Sequence, residues 1–392
     1  MRHRFATLVA VFIGAGALLL PFAAHAQQDA TALNAHLLLT SPQDYQVFQR
    51  SSKRHGVIQV RGSIAPPVDA LEVRLRGDSL AGPLPGRWQK LIAQRTTGDF
   101  RADLDTPAGG FYSFEIRALR QGRLIAEDSV AHVGVGEVFV ICGQSNSTNY
   151  GETKQTIATG MVTTFDGTRW RIANDPQPGT QDHSQKGSFI PPFGDELYRH
   201  YHLPVGIASV GHGSTSVRQW LPADRPVAVM PSMTKYVHQD VQGVLVSDGT
   251  LFEGLMTRIG QLGKHGFRAV LWHQGESDAH QQPGHNISAG TYRHMLTDVI
   301  QTSRRRAGWN IPWFVAQASY HSPTDPQTPE LREAQSSLWH SGIALEGPDT
   351  DSLIATYRQD NGKGVHLNDA GLKLHGHLWA LRVESYLDRV VR

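Results

Sequence analysis

The strongest constraint on the fold is an alternation of short apolar runs and helix-like segments that fills the chain from about residue 134. The apolar runs have the length of buried strands, and the segments between them repeat apolar residues with a helical period. This alternation favours a parallel sheet with helices on both faces. We predict strands at 138–142, 204–210, 268–272, 311–316 and 343–345, and helices at 194–202, 251–265, 291–307, 329–340 and 369–391.

Residues 36–133 have a different pattern. Segments 57–62, 70–76 and 111–119 place apolar residues at every second position, as half-buried antiparallel strands do, and proline-rich turns separate them. We predict a small all-β sandwich domain over residues 36–133, followed by an α/β domain over residues 134–392. The sandwich would be either a packed accessory domain or a carbohydrate-binding one.

The first 26 residues have the pattern of a signal peptide. Arg2 and Arg4 precede an apolar run from Phe5 to Ala24, and Ala24 and Ala26 flank His25 as small residues flank a cleavage site. A membrane anchor is the alternative, but the apolar run is short for a span. We therefore expect a periplasmic or secreted protein with no stable membrane insertion after cleavage.

Charge and cysteine content narrow the function classes. Without the signal peptide the chain has 35 basic and 35 acidic residues, which argues against a nucleic acid partner. The single Cys142 cannot form an internal disulfide, and its place at the end of an apolar run favours a buried packing role over a catalytic thiol. The histidine pairs lack the spacing of a zinc site, so we predict no metal.

Polar motifs follow the predicted strands. Gly143, Gln144, Ser145 and Asn146 end the first strand, residues 211–220 follow the second, 272–278 end the third, and 364–371 precede the last helix. Such residues also form ordinary turns. However, the carboxyl ends of parallel strands share one sheet edge, where open α/β sheets hold their active sites.

The ordered motifs GQSN (143–146), HQGESDA (273–279) and VHLNDAG (365–371) resemble an SGNH-type (GDSL-like) hydrolase of the carbohydrate-esterase group, which includes acetylxylan esterases and sialate O-acetylesterases. The resemblance covers nearly everything after residue 134. It implies a three-layer, flavodoxin-like domain with a parallel sheet.

By this resemblance Ser145 is the nucleophile and His366 the base that removes its proton. The same resemblance implies an oxyanion hole formed by the backbone N–H groups of Ser145 and Gly213 and the side-chain amide of Gln274. No cofactor is required. Asn149, Tyr150 and Trp220 lie beside the expected pocket and could contact a sugar ring, and Glu276 is a further substrate-binding candidate, although a structural role suits each of them as well.

One position departs from the family pattern. The family commonly has an aspartate three residues before the catalytic histidine, where this chain has Lys363. Asp360 can replace it, Glu276 or Asp351 can do so, or Ser145 and His366 can act as a dyad supported by a backbone carbonyl. We favour Asp360 as the acid.

The sequence therefore predicts an exported serine esterase that removes O-acetyl groups from a carbohydrate. A sialate O-acetylesterase is the alternative among enzymes. The alternative from another class is a carbohydrate-binding protein that kept the fold and lost turnover. The sequence gives no prediction of the oligomeric state.

Overall fold

A computed structural model describes residues 35–391 of the chain, so the predicted signal peptide lies outside the described residues. The first part of this region, up to Gly143, contains strands and loops but no helices. They are β1 (His36–Ser41), β2 (Gln46–Gln49), β3 (His55–Ala65), β4 (Ala70–Arg76), β5 (Asp78–Ser79), β6 (Gly82–Pro83), β7 (Gln89–Leu91), β8 (Gly98–Pro107), β9 (Gly109–Arg120) and the long β10 (Arg123–Gly143).

Strands and helices alternate after β10. Three short 3₁₀ helices, Ser145–Ser147, Val217–Trp220 and Ala355–Tyr357, lie in the loops. The remaining elements are β11 (Val162–Phe165), β12 (Trp170–Ile172), α1 (Ile190–Tyr201), β13 (Val205–Ser209), β14 (Val237–Gln239), β15 (Leu245–Ser247), α2 (Thr250–Leu262), β16 (Ala269–His273), α3 (Glu276–Ala279), α4 (Ala289–Ala307), β17 (Trp313–Gln317), α5 (Pro329–His340), β18 (Leu345–Asp349), α6 (Gln359–Gly362) and α7 (Asp369–Val390).

The end of β10 lies at the centre of the α/β sheet, whose strand order is β12-β11-β13-β10-β16-β17-β18. All neighbouring pairs are parallel except β11 and β12. Val138, Val140 and Cys142 pack with α2, α4 and α5 on one face, whereas Phe139 and Ile141 pack with α1 and α7 on the other. The predicted α/β fold with a parallel sheet is confirmed.

Most predicted elements of this sheet lie where the periodicity put them. Helix α5 has the predicted bounds, and α7 differs from its prediction by one residue. The last strand begins at Leu345, where its prediction ended, and the prediction missed β11 and β12. Both missed strands are short, and β12 lies at the edge of the sheet, so neither left a long apolar run in the sequence.

The β-rich part is joined to the α/β sheet by β10 itself. Its first half pairs with β9 and β2, and its second half pairs with β13 and β16. Strands β3 and β8 of a separate three-stranded sheet share a core with β4 and β9. The predicted boundary at residue 134 thus falls inside a continuous strand, and separate folding of residues 36–133 stays a prediction.

Buried charges reinforce this junction. The Glu137 carboxylate on β10 accepts hydrogen bonds from Arg50 at 2.6 Å and from Arg268 at 2.8 Å, and its side chain is 2% exposed. Arg50 follows β2 and Arg268 precedes β16, so one carboxylate connects the β-rich part with the central sheet. Among residues 35–391, no helix combines the length and apolar character needed to cross a membrane.

Candidate active site

Ser145 lies directly after the carboxyl end of β10, at the first residue of a 3₁₀ turn. The chain leaves the strand at Gly143, which has φ +134° and where an added Cβ would lie 2.0 Å from the carbonyl oxygen of His273. Only glycine fits this close approach to β16. The turn is closed by Thr148, whose backbone N–H donates to the Ser145 carbonyl at 3.0 Å. The glycine and the polar residues therefore hold Ser145 at the sheet edge.

The two neighbours of Ser145 connect this turn to other motifs. The Gln144 side-chain oxygen accepts from the backbone N–H of Ser277 at 3.0 Å. The Asn146 amide donates to Glu276 at 2.9 Å and to the carbonyl of Val365 at 3.2 Å. Since Asn146 follows Ser145 and Val365 precedes His366, the structure places the turn of the predicted nucleophile beside the loop of the predicted base.

Buried Arg358 shapes the loop that holds His366. Its guanidinium donates to the carbonyls of Val365 at 2.7 Å and Thr350 at 3.1 Å, and it stacks on the ring of Tyr320 at 3.8 Å. Burial lowers the pKa of Arg358 to about 10. Asn368 then begins α7 by accepting from the backbone N–H of Gly371 at 3.0 Å, which fixes the point where the loop ends.

The surroundings of His366 favour its neutral form. Burial is the main cause that lowers the pKa of His366, and the nearby cations Lys186 and Arg358 act in the same direction. Glu276 and Asp360 oppose this shift. A general base must be unprotonated to accept a proton, so the neutral form favoured here is the form that the predicted role of His366 requires.

The predicted oxyanion donor Gly213 is already engaged in this structure. Its backbone N–H donates to the Asp182 carboxylate at 2.6 Å, and Thr148 donates to the same oxygen at 3.4 Å. The next residue, Ser214, is exposed and has φ +60°. The Gly213 N–H would have to leave Asp182 before it could bind an oxyanion.

The side-chain amide of Gln274 is engaged as well. It is fully buried and donates to the Asp278 carboxylate at 2.7 Å and the Thr215 carbonyl at 3.0 Å. Asp278 also accepts from Ser216 at 2.6 Å and from the backbone N–H of Val217 at 2.7 Å. Gln274 thus connects the glycine-rich loop (residues 211–216) to the motif that ends the third predicted strand (residues 272–278). Its oxyanion role stays a prediction.

The candidate acids occupy different environments. Asp360 is exposed, with φ +54°, and makes no hydrogen bond to the His366 ring within the described residues. Both oxygens of Asp351 are taken by Ser319, Tyr320 and Arg332. Glu276 is largely buried, and its Oε2 atom has no hydrogen-bond partner within the described residues. The partner of His366 Nδ1 is instead the Gln359 side-chain amide, at 3.1 Å.

The structure buries two of the predicted substrate contacts. Trp220 is fully buried, donates to Thr215 at 2.9 Å and packs edge-on against Trp272. Asn149 is 1% exposed, and its amide donates to the carbonyls of Gln177 and Ser184. A bound sugar would therefore reach neither side chain without a rearrangement, and their substrate-binding role stays a prediction.

Further side chains surround the His366 ring and the glycine-rich loop. The Tyr150 ring packs on the His366 ring at 5.1 Å, and its hydroxyl lies next to Gly213. On the other side of Gly213, His212 contacts the Tyr236 hydroxyl at 3.1 Å. Sequence reasoning missed His212, Tyr236 and Asp182. His212 lies within the motif at residues 211–220, which was a usable signal, whereas Tyr236 and Asp182 belong to no motif.

Comparisons with known proteins bear on the family and the fold of this chain. Residues 135–384 match the family described as "Carbohydrate esterase, sialic acid-specific acetylesterase". A carbohydrate acetylesterase from Xanthomonas citri has 19% sequence identity and a TM-score of 0.55, with 89% of this chain and 74% of that chain covered. This likeness supports the fold. A search of curated proteins found no match.

Two further solved structures have a weaker likeness, with TM-scores below 0.5. A protein from Arabidopsis thaliana has 18% identity and a TM-score of 0.44, with 65% of this chain and 98% of that chain covered. A carbohydrate esterase family 2 enzyme with a carbohydrate-binding domain, from Corynascus thermopiles (Myceliophthora fergusii), has 13% identity and a TM-score of 0.36, with 90% and 94% covered.

The family match spans more than half of the chain, and the ordered motifs meet at one edge of a parallel sheet. The chain therefore belongs to the carbohydrate esterases of the SGNH type, carboxylic ester hydrolases that act on the acetyl groups of carbohydrates.

Proposed function

We propose that this chain is an exported serine esterase that removes O-acetyl groups from a polysaccharide or oligosaccharide through an acetyl-Ser145 intermediate. The observation that carries the proposal is the Asn146 amide, which donates to Val365 and so joins the Ser145 turn to the His366 loop. The largely neutral His366 suits a base at this position.

In the first step the Ser145 hydroxyl attacks the acetyl carbonyl while His366 accepts its proton. The sugar oxygen leaves with that proton, and the acetyl group stays on Ser145. In the second step water attacks the acetyl-enzyme, His366 takes a proton from the water, and acetate leaves as the Ser145 hydroxyl is restored. Asp360 is the triad acid that the sequence favours, and Glu276 is the alternative, with a buried oxygen that has no hydrogen-bond partner within the described residues.

The oxyanion of each step needs donors in place. We propose the backbone N–H groups of Ser145 and Gly213 and the amide of Gln274, as the family resemblance implies. Substrate binding would have to release Gly213 from Asp182 and Gln274 from its present acceptors. Such donors contribute about 3–4 kcal/mol each where they have been removed by mutation.

Two alternatives have specific support. The description of the matching family favours an O-acetylated sialic acid as substrate. A carbohydrate-binding protein with weak turnover is favoured by Lys363, which stands where the family has aspartate. We further propose that residues 36–133 form an accessory β-sandwich domain and that residues 1–26 direct export to the periplasm or the medium.

Replacing Ser145 with alanine tests the proposal. Ser145→Ala should lower acetate release from p-nitrophenyl acetate by about a thousandfold or more, because no other group can form the acyl intermediate. The loss should extend to acetylated xylan or O-acetylated sialoglycans, whichever the wild type cleaves. Intact mass spectrometry of a rapidly quenched wild-type reaction should show one acetyl adduct, absent in the variant. Wild-type activity in a folded Ser145→Ala protein would refute the proposal.

A further inference from the structure

The ring nitrogen of His366 that normally faces a triad acid is occupied by an amide. Nδ1 of His366 lies 3.1 Å from the side-chain amide nitrogen of Gln359. An amide group ends in an oxygen and a nitrogen of similar size, and half a turn about its last bond exchanges them. With its oxygen facing the ring, Gln359 would accept a hydrogen bond from Nδ1–H. With its nitrogen facing the ring, it would donate one to Nδ1.

The loop is built to bring these two side chains together. The backbone N–H of Gln359 donates to the His366 carbonyl at 3.0 Å, and the N–H of Gly364 donates to the Gln359 carbonyl at 3.0 Å. At Gly364 an added Cβ would lie 2.4 Å from Cγ of Gln359. The glycine thus leaves the space through which the glutamine side chain reaches the ring.

The carboxylates near His366 have other contacts. Glu276 accepts from Asn146 at 2.9 Å, and Asp360 is exposed and has a left-handed backbone conformation. An oxygen of Asp360 and the amide nitrogen of Gln359 both lie within 3.2 Å of the position that a Gly364 Cβ would take. Within the described residues, Nδ1 of His366 has a hydrogen-bond contact with Gln359 and none with Asp360.

We propose that Gln359 is the positioning residue for His366 and that its side-chain oxygen accepts the Nδ1–H in place of a triad carboxylate. This inference rests on the proposed function. A proton held at Nδ1 leaves the lone pair of Nε2 free to accept the Ser145 proton. In Cys-His-Asn enzymes, a neutral amide likewise holds the catalytic histidine. A neutral acceptor fixes the tautomer without placing an anion on the ring, and Glu276 supplies negative charge without contacting Nδ1.

Two substitutions of Gln359 and a control in the same loop test the inference. Gln359→Leu removes the acceptor at similar volume and should lower kcat by about tenfold to a hundredfold with little change in KM. Gln359→Glu keeps an acceptor and adds an anion, so it should retain activity. Its charge should also move the acidic limb of the pH profile of kcat/KM upward by about one unit or more. Lys363→Gln replaces an exposed side chain in the same loop and should change neither kcat nor the pH profile of kcat/KM.

A second readout does not depend on turnover. Nitrogen chemical shifts of the His366 ring should show Nδ1 protonated and Nε2 unprotonated in wild type, and Gln359→Glu should raise the pKa of His366. If Gln359→Leu fails to fold, the Gln359→Glu measurements decide the matter alone. Wild-type kcat in folded Gln359→Leu, or an unmoved pH limb in Gln359→Glu, would overturn the inference.

Comparison with Asp360 separates the remaining explanations. A larger loss in Asp360→Asn than in Gln359→Leu would overturn the inference and assign the acid to Asp360. An active Ser145→Ala would instead refute the proposed function, while the nitrogen shifts still report the contact between Gln359 and His366.

Discussion

Removal of the Asp278 carboxylate should destabilise the fold around the active site. The Asp278 side chain is 1% exposed and lies 3.6 Å from the Arg218 guanidinium, which is fully buried. It also accepts hydrogen bonds from Ser216, Val217 and Gln274. Burial raises the pKa of Asp278, and the Arg218 cation and the three donors oppose that shift. Asp278→Ala would leave a buried cation and three buried donors without this acceptor.

Breaking a buried ion pair from one side costs about 3–5 kcal/mol, because the remaining charge stays buried without its partner. Arg218 would keep its hydrogen bonds to the carbonyls of Val229 and His285. Because of these remaining hydrogen bonds, we expect Asp278→Ala to lower the free energy of unfolding by no more than this range of about 3–5 kcal/mol. The buried donors left without an acceptor contribute part of that loss. Glu253→Ala is the matched control, since it breaks an ion pair with Arg306 in which both side chains are about half exposed. Such surface pairs contribute about 0–1 kcal/mol.

The assay is urea unfolding at neutral pH followed by tryptophan fluorescence, because Trp220 and Trp272 pack together beside the glycine-rich loop. The free energy of unfolding should fall by about 3–5 kcal/mol in Asp278→Ala and by under about 1 kcal/mol in Glu253→Ala. Equal small changes in the two variants would refute the reasoning, since they would mean that the buried pair contributes no more than an exposed one.

Two other predictions concern pH and the β-rich part. His273 and His375 are buried, their rings lie 4.9 Å apart, and burial lowers the pKa of both. The unfolded chain therefore binds more protons below pH 6.5, so the free energy of unfolding should fall as pH drops from 6.5, by up to about 1.4 kcal/mol per unit for each histidine. Urea midpoints between pH 8 and 5 check this, and the same slope in His375→Gln would contradict it. A protein starting at Val133 should keep activity on p-nitrophenyl acetate but unfold at lower urea, because Glu137 loses Arg50 and keeps Arg268. A folded but inactive truncation would mean that the β-rich part completes the site.

The sequence by itself determined most elements of the central sheet, without β11 and β12, and the chain order of the motifs. Burial on a strand or helix repeats with a short period, so the end of β10, helix α5 and helix α7 were predicted from their own residues. The position of Ser145 after a buried strand followed from the same local pattern. The sequence also identified Lys363 as the departure from the family motif.

Only the tertiary structure decided which side chains meet at the site. Trp220 and Asn149 adjoin recognised motifs, but contacts from other loops bury both of them. The amide of Gln274 binds an aspartate of its own motif and a carbonyl 59 residues away. These contacts depend on where distant loops approach each other, and no local period in the sequence records that. Gln359 reaches His366 for the same reason, since the backbone path between the two residues, and not their spacing along the chain, sets the contact.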